Sequence, residues 1–291
     1  MSWLRDTILH LRPRSWVVVI AHFCAGAGAA LFLEGRVAGQ WPIGSLVLGA
    51  ILWAVFLNGG TLAINSAFDR DEGDIGYLNS PPPIPAGLGW VAVVLMFGGL
   101  ALAYTVNWAF FVCYAICLFL SLLYSVPPIR LKAVAGADLV VNMIGYGALT
   151  FAAGAASAGN LQVITWVLAA SFAFLFAAFY PMTQIYQVPE DSARGDRTLA
   201  IIVGPRRVLL LSLAALIVTL GLQQWAAFQA DLGAAGAMLL AVPTLLWLVF
   251  TFHWFEQFKA YPHQAGMYRA LRLWALSDVV VVAAFWWFSR I

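Results

Sequence analysis

Long apolar runs decide what this chain can fold into. Charged residues make up only 10% of it and mean hydropathy is +0.88, whereas soluble domains carry about 25% charged residues. A helix that crosses the hydrocarbon core needs about 20 apolar residues, and the sequence contains nine such runs. We therefore expect an all-α polytopic membrane protein, with residues 1–291 as one transmembrane domain. The predicted spans are 15–33, 43–65, 88–106, 108–126, 137–157, 161–182, 206–226, 234–252 and 270–289.

The basic residues set the expected orientation. With nine spans, the amino terminus and every second loop lie on one side of the membrane, and that side carries every Lys and Arg except Arg36 and Arg290. Short loops rich in Lys and Arg stay in the cytoplasm. The amino terminus is therefore predicted inside, and both polar clusters described next are predicted to face the cytoplasm.

The second run ends in a polar cluster, 65–74, which reads NSAFDRDEGD. Asn65 and Asp69 are four residues apart and share one face of a continuing helix. Carboxylates at the end of a membrane helix are unfavourable without a partner, and oxygen ligands suit Mg²⁺. The cluster predicts a magnesium site, although a solvated acidic loop that only caps the helix is the alternative.

The sixth run ends in a similar cluster, 187–196, which reads QVPEDSARGD. Gln187 and Asp191 repeat the four-residue spacing of the first cluster. Both clusters follow even-numbered runs, so they lie on the same side of the membrane. We expect the two clusters to face each other across one site.

A third polar stretch, 124–132, follows the fourth run and reads YSVPPIRLK. Its two prolines end the helix. Arg130 and Lys132 then lie on the same side as the acidic clusters, where cations would bind an anionic phosphate. Lys132 is the preferred phosphate contact and Arg130 the second. The alternative for both is ordinary positive charge on the cytoplasmic side.

Together these three stretches resemble the UbiA superfamily of intramembrane prenyltransferases. That family has nine transmembrane helices around a central cavity, with cap loops and two Asp-rich motifs on the cytoplasmic side and a Tyr-Ser-x-Pro-Pro-x-x-x-Lys loop. The tails 79–87 (NSPPPIPAG) and 195–200 (GDRTLA) also resemble the family's motifs. Asn65, Asp69 and Asp191 match the family pattern in place.

Several positions depart from the family pattern. Ser66 and Gln187 stand where the family has Asp, and Pro82 stands near the place of a usual Arg. Asp74 comes one residue later than the family's last Asp. These changes reduce negative charge around the metal and positive charge around the phosphate, and we expect Glu190 or Asp71 to compensate at the metal.

The resemblance implies Mg²⁺-dependent transfer of a prenyl group from a prenyl diphosphate to a lipophilic acceptor, aromatic or polycyclic in class. The implied site faces the cytoplasm, in a prokaryotic cytoplasmic membrane. Tyr124, Lys132, Asp69 and Asp191 are the implied catalytic residues. The diphosphate is expected to contact Arg130, Lys132 and Arg197. The metal is expected to be held by Asn65, Asp69, Asp74, Gln187 and Asp191, with Glu190 beside them.

Three further polar residues are candidates for the cavity wall. Asn142 and Tyr146 are four residues apart in the fifth run, and Asp278 lies near the middle of the ninth. An acid at that depth is a functional candidate by default. The alternative for each is a hydrogen bond between neighbouring helices, and for His22 in the first run a structural role is preferred.

Two other functions remain open at this point. A terpene cyclase of the UbiA type would use the same site without an acceptor. A transporter without chemistry would bind cations, but the charges gather at helix ends on one side instead of lining a path across the bilayer. No basic patch of the kind that binds nucleic acid is present in the sequence.

Overall fold

The computed structural model describes residues 2–69, 75–76, 78 and 80–288, without the side chains of Ser2, Glu190 and Arg194. Asp74, the side chain of Glu190, and Asp71 therefore lie outside the described residues. The described chain is helical apart from short turns and two isolated bridges. The helices are α1 (Ser2–His10), α2 (Pro13–Leu33), α3 (Ile43–Asp69), α4 (Leu88–Ala103), α5 (Trp108–Ser125), α6 (Ala137–Ala158), α7 (Val163–Ile185), α8 (Val188–Arg194), α9 (Leu199–Val203), α10 (Val208–Gln229), α11 (Gly233–Glu256) and α12 (His263–Phe288).

The all-α, polytopic membrane architecture is confirmed. Eight helical segments in the described part of the chain are long and apolar enough to cross a membrane. The remaining long helix, α4, has 16 residues, and at 1.5 Å per residue it is about 24 Å long, shorter than a bilayer core of about 30 Å. Nine crossings and a cytoplasmic amino terminus therefore stay predictions.

The helices begin and end at capping residues more closely than at the ends of the apolar runs. Asn107 caps α5, because its side chain accepts a hydrogen bond from the amide of Phe110 at 2.9 Å. The last helix begins at His263, seven residues before the predicted 270, because a helix tolerates polar residues where it leaves the apolar layer. Each of the nine predicted apolar runs nevertheless forms a helix.

Glycines allow α2 and α6 to touch backbone to backbone. A side chain at Gly26 would overlap the carbonyl of Phe151, and one at Gly154 would overlap the carbonyl of Phe23. Small residues that permit such close approach are typical of helix contacts in lipid. Small residues in the first and fifth predicted spans thus permit the close contact of these two helices.

The same α2 helix also packs against α3 and α12, while α7 packs between α6 and α10. Segments of α3 (Leu52–Gly59) and α6 (Met143–Leu149) are wound as π-helix, a rare form often found at functional sites. Both π-helical segments face the space enclosed by α2, α3, α6, α7 and α12, which contains the candidate site.

Candidate active site

A cavity of about 820 Å³, here called the main cavity, lies between α2, α3, α6, α7 and α12. Its mouth is lined by Arg14, Gly76, Gln187 and Gln264, and its inner end by His22 and Trp274. On α12, Gln264 and Trp274 are ten residues apart, which corresponds to about 15 Å of depth. A smaller cavity of about 190 Å³ shares part of its wall and reaches Asn65 and Tyr124.

The first polar cluster and the cationic loop meet at the end of α3, one turn beyond Asn65, which lines the smaller cavity. Helix α3 ends at Asp69, whose carboxylate oxygen Oδ1 contacts the amine of Lys132 and lies 3.4 Å from Nη2 of Arg130. Asn65, one turn earlier, accepts a hydrogen bond from the hydroxyl of Ser125. The structure thus places Asp69, predicted to bind the metal, against Arg130 and Lys132, predicted to bind the diphosphate.

Backbone geometry explains how the cationic loop reaches Asp69. After the two prolines, Arg130 has φ of 41°, in the left-handed region that residues other than glycine rarely adopt. The chain then forms a single 3₁₀ turn, Leu131–Ala133. This reversal directs both cationic side chains back toward the end of α3.

A buried carboxylate that sequence reasoning did not single out supports the loop. Asp138 at the start of α6 is fully buried, and its Oδ1 accepts from the amides of Gly136 and Leu139 at 2.9 and 2.8 Å. Its Oδ2 accepts from Gln184 of α7 at 2.7 Å. Gln184 in turn accepts from the amide of Ala200 at 3.2 Å. The network joins the cationic loop, the end of α7 and α9.

The second polar cluster forms the short helix α8 and lies at the same mouth. Gln187 precedes α8 and lines the main cavity, while Asp191 is buried within the helix. Gly195 ends α8 with φ of 77°, a conformation that suits glycine. Just beyond it, the exposed Arg197 forms a backbone bridge with Val134, which connects this cluster to the cationic loop.

Ser66 has a partner that accounts for its departure from the expected Asp. Its buried hydroxyl accepts a hydrogen bond from Nη2 of Arg12 at 3.3 Å, and Nη1 of the same arginine donates to the carbonyl of Gly76. Arg12 thereby fixes the end of α3 against the amino-terminal segment. The serine provides a hydrogen-bond acceptor for Arg12 without adding a negative charge.

The donor set is compatible with Mg²⁺ held by few protein ligands. In the described part of the chain, no three His, Cys, Asp or Glu side chains cluster as a metal site. The oxygen donors there are Asn65, Asp69, Gln187 and Asp191. Mg²⁺ is commonly bound through one or two carboxylates, with water and substrate phosphate completing its shell. These residues therefore fit the ion only if water and phosphate supply its other ligands.

Aromatic rings continue from the mouth into the main cavity. The hydroxyl groups of Tyr124 and Tyr180 lie 3.1 Å apart. Phe176 stacks on Tyr180 and on Tyr146, with ring centroids 6.0 and 5.7 Å apart. Sequence reasoning missed Phe176 and Tyr180, although Phe172, Phe176 and Tyr180 recur at four-residue intervals on one face of α7.

The cavity candidates in α6 lie where they were expected. Asn142 and Tyr146 line both cavities. Tyr146 donates a hydrogen bond to Oδ1 of Asn58 at 3.0 Å, and the amide of Asn58 donates to Ser15 at 3.0 Å. This chain of bonds joins the two π-helical segments to α2 and forms the partition between the cavities.

Asp278 lies behind the cavity wall and is paired with His22. Its Oδ1 is 2.7 Å from Nδ1 of His22, and both side chains are buried. The other ring nitrogen of His22 lies 3.0 Å from the carbonyl of Gly147. His22, and not Asp278, lines the main cavity.

Comparison with known proteins agrees with this architecture. The model of the UbiA prenyltransferase family matches residues 20–276, and the chain belongs to that family. A digeranylgeranylglyceryl phosphate synthase of Halobacterium salinarum is 32% identical over 194 residues, covering 64% of this chain and 67% of the relative. The synthase of the same name from Methanothrix thermoacetophila is 29% identical over 242 residues, covering 77% and 85%.

Solved structures share the fold across nearly the whole chain. A UbiA homologue from Archaeoglobus fulgidus, bound to GPP and Mg²⁺, superposes with a TM-score of 0.72 at 20% identity, covering 98% of this chain and 100% of that one. A structure of a digeranylgeranylglyceryl phosphate synthase gives 0.71 at 17% identity, covering 99% of both chains. The protein is an integral membrane protein of the UbiA fold.

Proposed function

We propose that the protein transfers a prenyl group from a prenyl diphosphate to a lipophilic acceptor within the membrane, with Mg²⁺ as cofactor. The observation that carries this proposal is the contact of Lys132 and Arg130 with Asp69 at the end of α3, one turn beyond Asn65. Asn65 lines the smaller of two adjoining cavities, and the larger one is mostly apolar. Cations, metal-binding oxygens and an apolar chamber are the three elements that ionisation of a prenyl diphosphate needs. The match to the prenyltransferase family supports the same reading.

Lys132 and Arg130 bind the diphosphate in this proposal, with Arg197 as an outer contact. Charge-assisted hydrogen bonds to phosphate oxygens strengthen as negative charge develops on the leaving group. Mg²⁺, when bound, neutralises part of that charge. Asn65, Asp69, Gln187 and Asp191 are the proposed ligands, and Asp74 and Glu190 are proposed to assist them.

The wall of the main cavity protects the allylic cation left after ionisation. An apolar cavity keeps out the water that would hydrolyse the cation. The faces of Tyr146, Phe176 and Tyr180 stabilise positive charge through their π-electrons, and Tyr124 orients Tyr180 by the contact between their hydroxyl groups. Asn142 and the Asn58–Tyr146 bond fix this wall.

For the acceptor, we propose a lipid with an anionic head group in place of a neutral aromatic ring system. Arg14 lines the mouth of the main cavity, beside the polar side chains of Gln187 and Gln264. A guanidinium there suits a phosphate or carboxylate head group while the acceptor's chain stays in the apolar phase. The similar proteins from two archaea, both named for synthesis of a glyceryl phosphate lipid, support this choice.

Because Lys and Arg concentrate on one side, the mouth is proposed to face the cytoplasm of a prokaryotic cell. The whole chain is proposed to act as one transmembrane domain. Its helices surround the two cavities, which share lining residues. No separate module is needed for the reaction.

Product analysis tests the proposed function. Purified protein would be incubated with geranyl, farnesyl or geranylgeranyl diphosphate, with and without a membrane lipid extract, and products identified by mass spectrometry. We expect a prenylated lipid only when both extract and Mg²⁺ are present, and none after chelation. A hydrocarbon formed without extract would identify a cyclase instead, and absence of any product with every donor would contradict catalysis.

A further inference from the structure

The main cavity has an inner limit on every helix that encloses it. Counting inward from the mouth, the last lining residues are His22 on α2, Asn58 on α3, Thr150 on α6, Phe176 on α7 and Trp274 on α12. Residues farther along the same helices do not line it. Near this limit the ring of Trp274 contacts the rings of His22 and Phe176, with centroids 4.9 and 5.5 Å apart, and we call the surface formed by His22 and Trp274 the floor.

Close helix contact explains why the cavity cannot continue beyond that floor. One turn past His22, the backbones of α2 and α6 meet at Gly26 and Gly154, with no room for even a methyl group. On α7, the backbone at Phe172 and Ala173 meets Gly147 in the same way. An apolar chain that enters from the mouth must stop or turn at the floor.

The floor is held by a buried polar pair that the proposed chemistry does not use. The carbonyl of Gly147 can only accept a hydrogen bond, so Nε2 of His22 donates to it at 3.0 Å. Nδ1 of His22 then shares a single proton with Oδ1 of Asp278 at 2.7 Å. Both ring nitrogens are engaged, which fixes the imidazole between α2, α6 and α12 and leaves it unable to act as a base.

Aromatic rings complete this arrangement. The imidazole of His22 lies 4.6 Å from the ring of Phe172, 4.9 Å from Trp274 and 5.8 Å from Phe151, measured between ring centroids. Edge-to-face packing of this kind holds rings in fixed orientations. His22 and Trp274 thus present a rigid surface to the cavity.

We propose that His22, positioned by Asp278, and Trp274 form the floor that limits the length of the prenyl chain the enzyme accepts. The inference rests on the proposed function and extends it to the donor's specificity. From Arg14 to His22 the cavity is about 12 Å deep, and along α12 about 15 Å. A donor whose hydrocarbon chain is longer than this meets the imidazole or the indole before its diphosphate reaches the mouth.

Paired substitutions test the floor without leaving one buried partner unpaired, which is strongly destabilising. His22→Ala with Asp278→Ala removes the floor, whereas His22→Gln with Asp278→Asn keeps its size and a hydrogen bond. The kcat/KM of each variant is measured with geranyl, farnesyl and geranylgeranyl diphosphate. For the first pair, we expect the kcat/KM of the longest donor divided by that of the shortest donor to rise about tenfold. Pockets discriminate between substrates of different size by factors of this order. The second pair should leave the ratio unchanged.

Trp274→Leu gives an independent variant if the alanine pair does not fold. It shortens the floor without altering the His22–Asp278 bond and should shift the ratio in the same direction. The control is Gln223→Leu with Thr244→Val, which removes a buried 2.7 Å hydrogen bond between α10 and α11 away from the cavity. That pair should leave the donor ratio as it is.

Donor selectivity is also measured without turnover, from the rise in Tm that each donor produces at equal concentration in the presence of Mg²⁺. This rise reports how tightly each donor binds. An equal fall in kcat/KM for all three donors in the floor variants would overturn the proposal, because it would mean that His22 and Asp278 only hold the helices together. Failure of the proposed function has a different signature, namely selective donor binding by the wild-type protein without any prenylated product.

Discussion

The mouth and the inner end of the main cavity are built by opposite means. On the side of the mouth, charged side chains from helix ends and loops meet, as Lys132 and Arg130 do with Asp69 at the end of α3. At the inner end, aromatic rings surround one hydrogen-bonded pair, His22 and Asp278, in the middle of packed helices. In the function proposed above, the diphosphate binds at the first of these regions and the hydrocarbon chain is selected at the second.

The largest effect is expected at the mouth, from Asp69→Asn. This change removes the negative charge that both Lys132 and Arg130 contact and that is proposed to bind the metal. We expect kcat/KM to fall by about a hundredfold or more, the scale of losing one electrostatic group in a preorganised site. Asp231→Asn, at an exposed acid between α10 and α11, is the control. Comparable activity in the two variants would show that Asp69 has no part in catalysis.

Lys132→Gln should have the next largest effect and should act on the donor alone. A charge-assisted hydrogen bond is worth about 1.5–3 kcal/mol, which corresponds to a tenfold to hundredfold rise in KM for the prenyl diphosphate. The KM for the acceptor should not change. Lys259→Gln, at an exposed lysine after α11, provides the comparison in steady-state kinetics. A larger change in the acceptor's KM than in the donor's would remove Lys132 from the diphosphate site.

The smallest effect is expected within the aromatic wall, from Phe176→Leu. Loss of one cation–π contact is worth about 0.5–2 kcal/mol, so kcat should fall by a factor of a few while KM changes little. Phe176→Tyr should retain activity because it keeps the ring face. Phe250→Leu removes a ring that packs in α11 beside Trp247 and Trp254 and serves as the control. If kcat fell no further in Phe176→Leu than in the control variant, the ring of Phe176 would only fill space.

The sequence was most informative about the mouth. Apolar run length indicated the membrane helices, and four-residue spacing after even-numbered runs indicated that Asn65, Asp69, Gln187 and Asp191 belong at one end. The cationic loop was assigned to the same end, and the contact of Lys132 with Asp69 agrees with that assignment. Such features can be predicted because topology alone places helix ends on one side of a membrane.

The inner end could not be predicted in the same way. His22 and Asp278 are 256 positions apart, and their pairing depends on how each helix is rotated about its axis. The pairing of Ser66 with Arg12 and the stacking of Phe176 on Tyr146 depend on the same rotations. Two π-helical segments shift those rotations further, since each changes which residues face inward. Periodicity of apolar residues carries little of this information when every face of a helix is apolar.

The central claim is that the donor lies with its diphosphate at the mouth and its hydrocarbon end at the floor. A prenyl diphosphate carrying a photoreactive diazirine at the end of its chain would test this directly, with the cross-linked peptides identified by mass spectrometry. In the presence of Mg²⁺, the label should appear on the peptides that carry His22, Phe176 or Trp274, and excess unlabelled prenyl diphosphate should abolish it. Labelling confined to the lipid-facing residues of α4 or α10 would contradict the account.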